Sequence, residues 1–519
     1  MNRDTQLNIL QSRKEPWDVV IIGGGATGAG CAVDAASRGY SAVLFEQCDF
    51  GKGTSSRSTK LAHGGVRYLR KGAFGLVSRA LKERTNLLRN APHVVRERGF
   101  IIPASSWLER SYYGLGLKLY DSFAFGSTLP ASRILSASEA EELAPTLNTK
   151  ELSGGVVYFD GQFDDARLNI NLIQTAVEQG ATALNYAKVT GFTKHRNKVV
   201  EVLVTDLENN KSYVAACRSV INACGPYSDA IRKMDDENAP PRQIASRGVH
   251  VVVDKSFLPS DYGILIPHTD DKRVIFAIPW HDSTLIGTTD SPQPDASIEP
   301  RATKADVDYV LDHTCRCLDR CPLPTDVKSV FAGIRPLVGD SSDGRTASIS
   351  RDHSVSVSDS GVVTVSGGKW TTYRHMAEDA VNNAAKVGKL RRQRSQTRRL
   401  KIHGCDTNHH GKFQWYGADA VHITALVDSA SEMARPLDAA ETLIAAQVIW
   451  AARHEMARTV EDVLARRTRV LFYDANKAIE LAPAVAVLLA SELGKDQNWE
   501  QEQVNEFTAL AKQYFYPSS

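Results

Sequence analysis

Three glycines spaced as G-x-G-x-x-G, at Gly23, Gly25 and Gly28, could hold the pyrophosphate of a dinucleotide. Gly23 would allow a tight turn, Gly25 would let the backbone approach the phosphates, and Gly28 would let a helix pack close to its strand. The start of that helix would present free N–H groups and a positive dipole end to the phosphates. Glu46 follows about 20 residues later, where a carboxylate can bind ribose hydroxyls and disfavours the 2′-phosphate of NADP. The spacing predicts a dinucleotide site but leaves FAD and NAD open.

The elements that must position these glycines are visible on either side of them. Residues 18–22 are a β-branched apolar run, typical of a buried parallel strand. Residues 26–37 predict a helix of small side chains, and residues 41–45 predict a second strand that ends on Glu46. Strand, helix, strand and acid therefore form one βαβ unit, which is far stronger evidence than the glycines alone.

The segment after Glu46 favours a flavin. Residues 51–69 are rich in Gly, Ser and Thr, with Lys60, His63 and Arg67 interleaved. This composition is typical of a backbone-lined loop near phosphates and a polar ring. A plain NAD dehydrogenase would need no such insertion at this position.

Residues 54–69, which read T-S-S-x-S-T-K-L-x-H-G-G-x-R-Y-L after a GGGxxGAG turn, resemble the FAD-dependent glycerol-3-phosphate dehydrogenases. These enzymes lie within the D-amino-acid-oxidase-like flavoprotein superfamily. The resemblance continues in order from about residue 17 to 380, and Cys224 is a departure, since the family usually has Thr there. Further similar segments are FDDARL (163–168), VINACGPYSD (220–229), FAIPWHDSTLIGTTD (276–290), AGIRPL (332–337), SISRDH (348–353) and SGGKWTTYR (366–374).

The resemblance implies an α/β protein with three parts. A Rossmann-type FAD-binding domain is interleaved with an antiparallel-sheet substrate domain, and a C-terminal all-helical domain follows. The expected ranges are 1–100, 150–235 and 325–385 for the FAD-binding domain, 100–150 and 236–325 for the substrate (cap) domain, 386–434 for a basic linker and the start of the tail, and 435–519 for the C-terminal helical domain.

The resemblance also implies which residues contact FAD. They are Gly23, Gly25, Gly28, Glu46, Ser55, Ser56, Thr59, Lys60, Leu61, His63, Gly64, Val189, Ala223, Gly225, Gly368, Lys369 and Thr371. No metal site is expected, because Cys315, Cys317 and Cys321 have C-x-C-x-x-x-C spacing, whereas structural zinc usually has C-x-x-C pairs. Packed thiols are the expectation there.

The family's reaction implies a site for a phosphorylated alcohol. It oxidises sn-glycerol 3-phosphate to dihydroxyacetone phosphate, with hydride moving from C2 to flavin N5 and electrons passing to a quinone. Arginine suits the phosphate, because its planar fork binds such groups through two hydrogen bonds. The substrate-binding candidates are Arg67, Arg335 and Arg351, with Tyr68 as a wall of the pocket.

The base that accepts the C2 hydroxyl proton should titrate near neutrality, and imidazole is the default. His250 is the candidate, although a histidine in a β-strand is often a satisfied core residue. His63 is expected to position the flavin instead. Arg335 and Lys369 complete the catalytic set, since Lys369 could stabilise negative charge near flavin N1.

Composition limits the partners. Lys and Arg number 62 against 60 Asp and Glu in 519 residues, so the net charge of +2 argues against a dedicated nucleic-acid binder. Eight cysteines and a polar N-terminus predict a cytoplasmic protein without a disulfide scaffold. Basic residues 386–401 are either a solvated linker or a contact for anionic lipids at the inner face of the cell membrane. A homodimer is left open.

Three other functions remain open at this point. An oxidase of the same fold would pass electrons to O₂. An amine or amino-acid oxidase of the superfamily would bind a carboxylate where phosphate is expected here. A flavin-binding interaction protein would have no turnover.

Overall fold

The predicted βαβ unit is present in the structure. In the computed structural model, the described residues are 1–66, 69, 72–124, 128–150, 152–271, 273–338, 352–405 and 411–518. The helix predicted over 26–37 is confirmed, and the two strands flanking it each begin one residue later than expected.

The strands are numbered in chain order. They are β1 (Val19–Ile22), β2 (Ala42–Phe45), β3 (Leu61–Ala62), β4 (Val95–Ala104), β5 (Arg133–Leu135), β6 (Gly154–Phe163), β7 (Thr182–Leu184), β8 (Ala187–His195), β9 (Lys198–Asp206), β10 (Ser212–Ala216), β11 (Val220–Asn222), β12 (Gln243–Asp254), β13 (Gly263–Ile266), β14 (Ile275–Trp280), β15 (Ser283–Gly287), β16 (Ser291–Gln293), β17 (Ser329–Val338), β18 (His353–Val357) and β19 (Val362–Gly367).

The helices are numbered in the same way. They are α1 (Arg3–Ser12), α2 (Ala26–Ser37), α3 (Phe74–Asn90), α4 (Trp107–Phe123), α5 (Ala137–Leu143), α6 (Asp165–Glu178), α7 (Ser228–Asp235), α8 (Lys304–Cys315), α9 (Tyr373–Val387), α10 (Asp419–Ser429), α11 (Ser431–Ala434), α12 (Ala445–His454), α13 (Val470–Tyr473), α14 (Ala475–Leu493) and α15 (Gln497–Ala511).

A six-stranded sheet carries the glycine turn. Its order is β18-β19-β11-β1-β2-β7, and all neighbours are parallel except the β18–β19 pair. Helices α2, α6 and α9 pack together beside it around a core of small and branched side chains. Because β1 lies in the middle, its carboxyl end is the point at which a doubly wound sheet binds its ligand.

A larger, mostly antiparallel sheet forms the second part of the molecule. Its order is β16-β12-β15-β14-β13-β4-β6-β3, with β17 on β12 and β5 on β6. The antiparallel strands predicted for the substrate domain are β12 to β15 of this sheet. Strands β3, β6 and β17 belong to it as well, although they come from stretches expected in the FAD-binding domain.

The tail is helical, as expected, and α12 to α15 share one core with β12 and β17. The cysteine expectation is wrong in part. Cys315 and Cys321 form a disulfide with their Cα atoms 4.5 Å apart, because the turn after α8 brings the two together, while Cys317 stays a thiol. Among the described residues, no helix is long and apolar enough to cross a bilayer.

Candidate functional site

The turn between β1 and α2 has room only for glycine. Gly23 has φ +106°, and a Cβ there would lie 2.8 Å from the Ala223 carbonyl oxygen. A Cβ on Gly28 would lie 1.8 Å from the Gly23 carbonyl oxygen, and one on Gly25 would lie 2.8 Å from Ser55 Oγ. Ser55 Oγ accepts a hydrogen bond from Ala26 N at 2.9 Å, so it lies at the start of α2. The cradle fits a pyrophosphate against backbone N–H groups.

Glu46 lies against the same turn. Its carboxylate accepts hydrogen bonds from Gly24 N at 2.6 Å and from Cys48 N at 2.8 Å, and burial raises the pKa of Glu46. The structure therefore brings the predicted acid to the glycines at the carboxyl ends of β1 and β2. This is the position from which a carboxylate reaches adenosine ribose hydroxyls.

The other residues expected on the nucleotide side surround the end of β1. Val189 is buried in one apolar cluster with Ile22 and Phe45. Ala223 donates its backbone N–H to Ile22 at 2.9 Å, and Gly225 has φ +54°. Cys224 Sγ lies 3.4 Å from the Ile22 carbonyl, and burial raises the pKa of its thiol, which agrees with a packing role.

Lys60 does not reach this site with its ammonium group. Its Nζ donates to Asp165 Oδ1 at 2.6 Å and to the Ser56 carbonyl at 2.7 Å, with both charged side chains fully buried. Rings of Trp280, Phe331 and Phe472 lie 5.2 to 5.3 Å from Nζ. The Lys60 side chain thus forms a buried ion pair that fixes the loop, and the prediction that Lys60 contacts FAD would have to be met by its backbone. Its partner, Asp165, belongs to the FDDARL segment that resembles the family.

The early loop and the late double-glycine turn meet. Thr371 Oγ1 accepts from His63 N at 3.2 Å, and Trp370 Nε1 donates to the Ser55 carbonyl at 2.8 Å. Gly367 and Gly368 have φ +73° and +84°, a left-handed conformation that side chains with a Cβ rarely adopt. Segments about 300 residues apart in sequence thus form one wall.

A cavity of about 1160 Å³ opens beside this wall. It lies against the large sheet, with residues from β12, β17 and α4 on its other sides. The predicted site residues that line it are Thr59, Leu61, His63, His250, Arg335, Gly368, Lys369 and Thr371. Gly64 lies behind the wall, where its N–H donates to Tyr120 Oη at 2.8 Å.

His250 is buried on β12 with its ring at the cavity. Nε2 lies 2.9 Å from Thr59 Oγ1, and the ring stacks on Phe331 with 4.9 Å between centroids. Nδ1 has no hydrogen-bond partner among the described residues. Burial, followed by the charges of Arg335 and Lys60, holds the pKa of His250 well below its usual value. The imidazole is therefore neutral at pH 7 and can accept a proton.

Arg335 enters the cavity from β17. Its Nη2 donates to Thr288 Oγ1 at 3.1 Å, and its Nη1 lies 3.2 Å from Asp290 Oδ1. Asp290 also accepts a hydrogen bond from the Ser246 hydroxyl. Thr288 and Asp290 thus hold the guanidinium in place, and Arg335 lines the cavity.

Arg273 is a cavity residue that sequence reasoning missed. Its Nη1 donates to the Asp290 carbonyl at 2.5 Å, and its Nε lies 3.0 Å from Asp271 Oδ2. Nothing in the sequence distinguishes it from a surface arginine. Arg67, Tyr68 and Arg351, which were expected on the substrate, lie outside the described residues.

Comparison with known proteins decides the family. The model of FAD dependent oxidoreductases matches residues 18–374, and that of the C-terminal domain of alpha-glycerophosphate oxidase matches residues 364–503. The chain is 38% identical to the mitochondrial glycerol-3-phosphate dehydrogenase of Homo sapiens, covering 99% of this chain and 75% of the relative. The chain belongs to the FAD-dependent glycerol-3-phosphate dehydrogenase family. The Arabidopsis thaliana mitochondrial member is 37% identical, over 98% of this chain and 87% of its own.

Solved structures agree with this family. The glycerol-3-phosphate dehydrogenase of Bacillus halodurans, complexed with FAD, superposes with a TM-score of 0.82 and 29% identity, over 99% and 98% of the two chains. An L-alpha-glycerophosphate oxidase from Mycoplasma pneumoniae, at 18% identity and a TM-score of 0.56, shares the fold. The predicted family, fold class and FAD cofactor are confirmed, and the chain is an oxidoreductase.

Proposed function

We propose that this member of the glycerol-3-phosphate dehydrogenase family oxidises sn-glycerol 3-phosphate at C2 to dihydroxyacetone phosphate in the cavity, and that electrons leave to a quinone at a membrane surface. The observation that carries the proposal is the meeting of His250, Arg335 and Lys369 around one cavity beside the double-glycine turn. When bound there, FAD supplies the acceptor for the hydride that leaves C2.

Arg335 is the group that would hold the phosphate. A phosphate dianion carries more charge than the Asp290 carboxylate, so it can compete for Nη1 while Thr288 still orients the guanidinium. Arg273 adds a second cation at the same cavity, anchored through the Asp290 carbonyl. Two placed guanidinium groups favour phosphate recognition even though the whole chain is nearly neutral.

His250 is the group that would accept the C2 hydroxyl proton. A neutral imidazole is needed for this, and the buried position next to Arg335 keeps it neutral. Lys369 adds a positive charge at the cavity from the double-glycine turn, which suits a site that gains two electrons. His250 on β12 would take the proton, and Lys369 in the turn after β19 would offset the negative charge.

The exposed face of α4 favours a quinone over O₂ as acceptor. Leu108, Tyr112, Leu115 and Leu119 are 46 to 76% exposed and recur at spacings of three and four residues, so they share one face. Tyr112, Leu115 and Leu119 also line the cavity. An apolar face that borders the mouth of the cavity suits contact with lipid and entry of an apolar acceptor.

Steady-state kinetics on Arg335→Ala and Arg335→Lys test the phosphate assignment. We expect KM for glycerol 3-phosphate to rise by about 30-fold or more in Arg335→Ala, as for a charge-assisted pair worth about 2–5 kcal/mol, with Arg335→Lys in between. Glycerol without phosphate should be oxidised equally poorly by all three proteins. An unchanged KM in Arg335→Ala would overturn the assignment.

Reoxidation of the reduced enzyme separates the acceptors. After anaerobic reduction with glycerol 3-phosphate, a short-chain ubiquinone should restore the flavin absorbance much faster than air-saturated buffer does. Faster reoxidation by air with release of H₂O₂ would instead make the protein an oxidase.

A further inference from the structure

Two histidines and an aspartate meet behind the double-glycine turn, outside the cavity. His353 begins β18, whereas His375 and Asp379 lie one helical turn apart on α9. His353 is paired with Gly367 in the β18–β19 register, so the cluster lies directly against the turn. It takes no part in the proposed oxidation.

The ligand-type atoms of this cluster converge. One atom from each side chain lies within 4.8 Å of the other two. His353 Nε2 lies 2.7 Å and His375 Nε2 3.8 Å from Asp379 Oδ2. A tetrahedral zinc ion with bonds of about 2.0–2.2 Å separates its ligand atoms by roughly 3.3–3.6 Å, so small side-chain rotations would suffice.

The surroundings support the cluster as a ligand set. Asp352 Oδ1 lies 3.5 Å from His353 Nδ1, on the opposite edge of the ring from Asp379. The same oxygen accepts the His353 backbone N–H at 3.0 Å. A carboxylate on that side of the ring is where the usual outer partner of a metal-bound histidine lies. Arg79 binds both oxygens of Asp352 at 3.0 and 3.1 Å and so orients that carboxylate.

The cluster is also accessible. The His353 side chain is 6% exposed, while His375 and Asp379 are 28% and 38% exposed. An ion could therefore enter from solvent and retain a water as its fourth ligand. His353 would form the buried end of such a site.

We propose that His353, His375 and Asp379 form a binding site for a divalent transition metal of the zinc class. Two imidazoles and one carboxylate suit Zn²⁺ and disfavour Mg²⁺ and Ca²⁺, which take oxygen ligands. The bound ion would join β18 to α9 on the far side of Gly367 and Gly368. Its role is structural, because it would restrain the turn that forms one wall of the cavity.

Zinc binding to the purified, tag-free holoenzyme tests the proposal. After treatment with EDTA and dialysis, the protein is equilibrated with ZnCl₂ and the bound metal is measured by mass spectrometry. We expect one equivalent per chain, and a rise in melting temperature with Zn²⁺ but not with MgCl₂. His375→Ala and Asp379→Asn should each weaken zinc binding by about tenfold or more, and each should still contain FAD.

His195→Ala is the matched control, because His195 is exposed on β8 far from the cluster in sequence. It should bind zinc like the wild type. Absence of zinc from the wild type would overturn the proposal. So would zinc binding that both cluster variants keep, or that the control variant loses.

Discussion

Gly248 and Gly287 make the space in which the two central side chains of the cavity lie. A Cβ on Gly248 would lie 2.4 Å from Arg335 Nη2, and one on Gly287 would lie 2.4 Å from His250 Cδ2. Arg335 and His250 could be predicted from the sequence but the two glycines could not, because glycine inside a strand carries no short-range pattern that shows which side chain it admits. At the scale of residues, the functional side chains were therefore easier to predict than the glycines that leave room for them.

Gly28→Ala should weaken FAD binding. The added methyl group would meet backbone, the Gly23 carbonyl, which cannot move without distorting the cradle. Overpacking of this kind costs about 1–3 kcal/mol, so we expect FAD affinity to fall on the order of tenfold. The ratio of flavin to protein absorbance after dialysis measures this. Gly75→Ala in α3 is the control, since a Cβ there meets nothing within 4 Å, and equal FAD loss in both variants would contradict the account.

His250→Asn should lower kcat by about 10²–10⁴-fold while KM changes little, because a base is lost and the phosphate contacts are kept. The pH dependence of kcat/KM in the wild type should reflect the titration of His250. Since the pKa of His250 lies below its ordinary value, kcat/KM should fall only when the pH drops below about 6.5. A wild-type profile whose acid limb lies well above that pH would exclude His250 as the base.

At the scale of elements, local patterns were predictable and distant pairings were not. The βαβ unit over β1, α2 and β2 follows from apolar runs and glycines within about 30 residues. The large sheet instead pairs β12 with β17 and β4 with β6, over separations of fifty residues or more, as in Val249 beside Ala332. Such pairing depends on burial across the whole fold, so no short stretch of sequence shows that β6 and β17 join the same sheet as β12 to β15.

The exposed face of α4 gives a prediction at this scale. Leu115→Glu with Leu119→Glu should reduce binding to vesicles of phosphatidylethanolamine and phosphatidylglycerol, because two apolar side chains at the interface become charged. Cosedimentation measures the bound fraction, which we expect to fall several-fold. Val487→Glu on α14, 52% exposed, is the control and should leave binding unchanged. Equal binding by the double variant would exclude α4 as the contact.

At the scale of the whole molecule, buried ion pairs join the C-terminal helices to the FAD-binding part. Asp49 follows β2 and accepts hydrogen bonds from Arg466 Nε at 2.5 Å and Arg467 Nη1 at 2.6 Å. Arg167 of α6 pairs with Glu455 after α12, and the charged side chains of both pairs are almost completely buried. Arg466 and Arg467 stand side by side in an amphipathic segment of the sequence, VEDVLARRTR (460–469). Their shared partner Asp49 is buried and lies more than 400 residues away in sequence. No local pattern in the sequence shows such a pairing.

Asp49→Asn should destabilise the protein by about 3–5 kcal/mol, because it removes the buried carboxylate that pairs with both guanidinium groups. Arg466 keeps Glu461 and Asp462 as partners, whereas the remaining carboxylate beside Arg467 is Glu455 at 3.8 Å. Urea unfolding followed by fluorescence measures the change, provided that the transition is two-state. Asp4→Asn, on the exposed face of α1, is the control and should change little. A loss below about 1 kcal/mol would show that the network contributes little to joining the two parts.

His403 links α6 to α10 in a pH-dependent way. Burial alone would lower its pKa, but hydrogen bonds to Asp419 and Glu178 raise the pKa of His403 to about 9. The contribution of this link to stability is fully present below about pH 6.5 and is lost as the pH rises through 9. The free energy of unfolding should therefore differ between wild type and His403→Gln most at pH 6 and least at pH 10. A difference that grows with pH would contradict the assignment, and His195→Gln serves as the control.

The most direct measurement of the central claim is anaerobic titration of the purified flavoprotein with sn-glycerol 3-phosphate, followed by flavin absorbance near 450 nm. We expect full bleaching at one equivalent of substrate per FAD, with dihydroxyacetone phosphate as product. At the same concentration, glycerol should bleach the flavin little and amino acids should not bleach it. An unchanged spectrum with glycerol 3-phosphate, or bleaching by an amino acid instead, would contradict that claim.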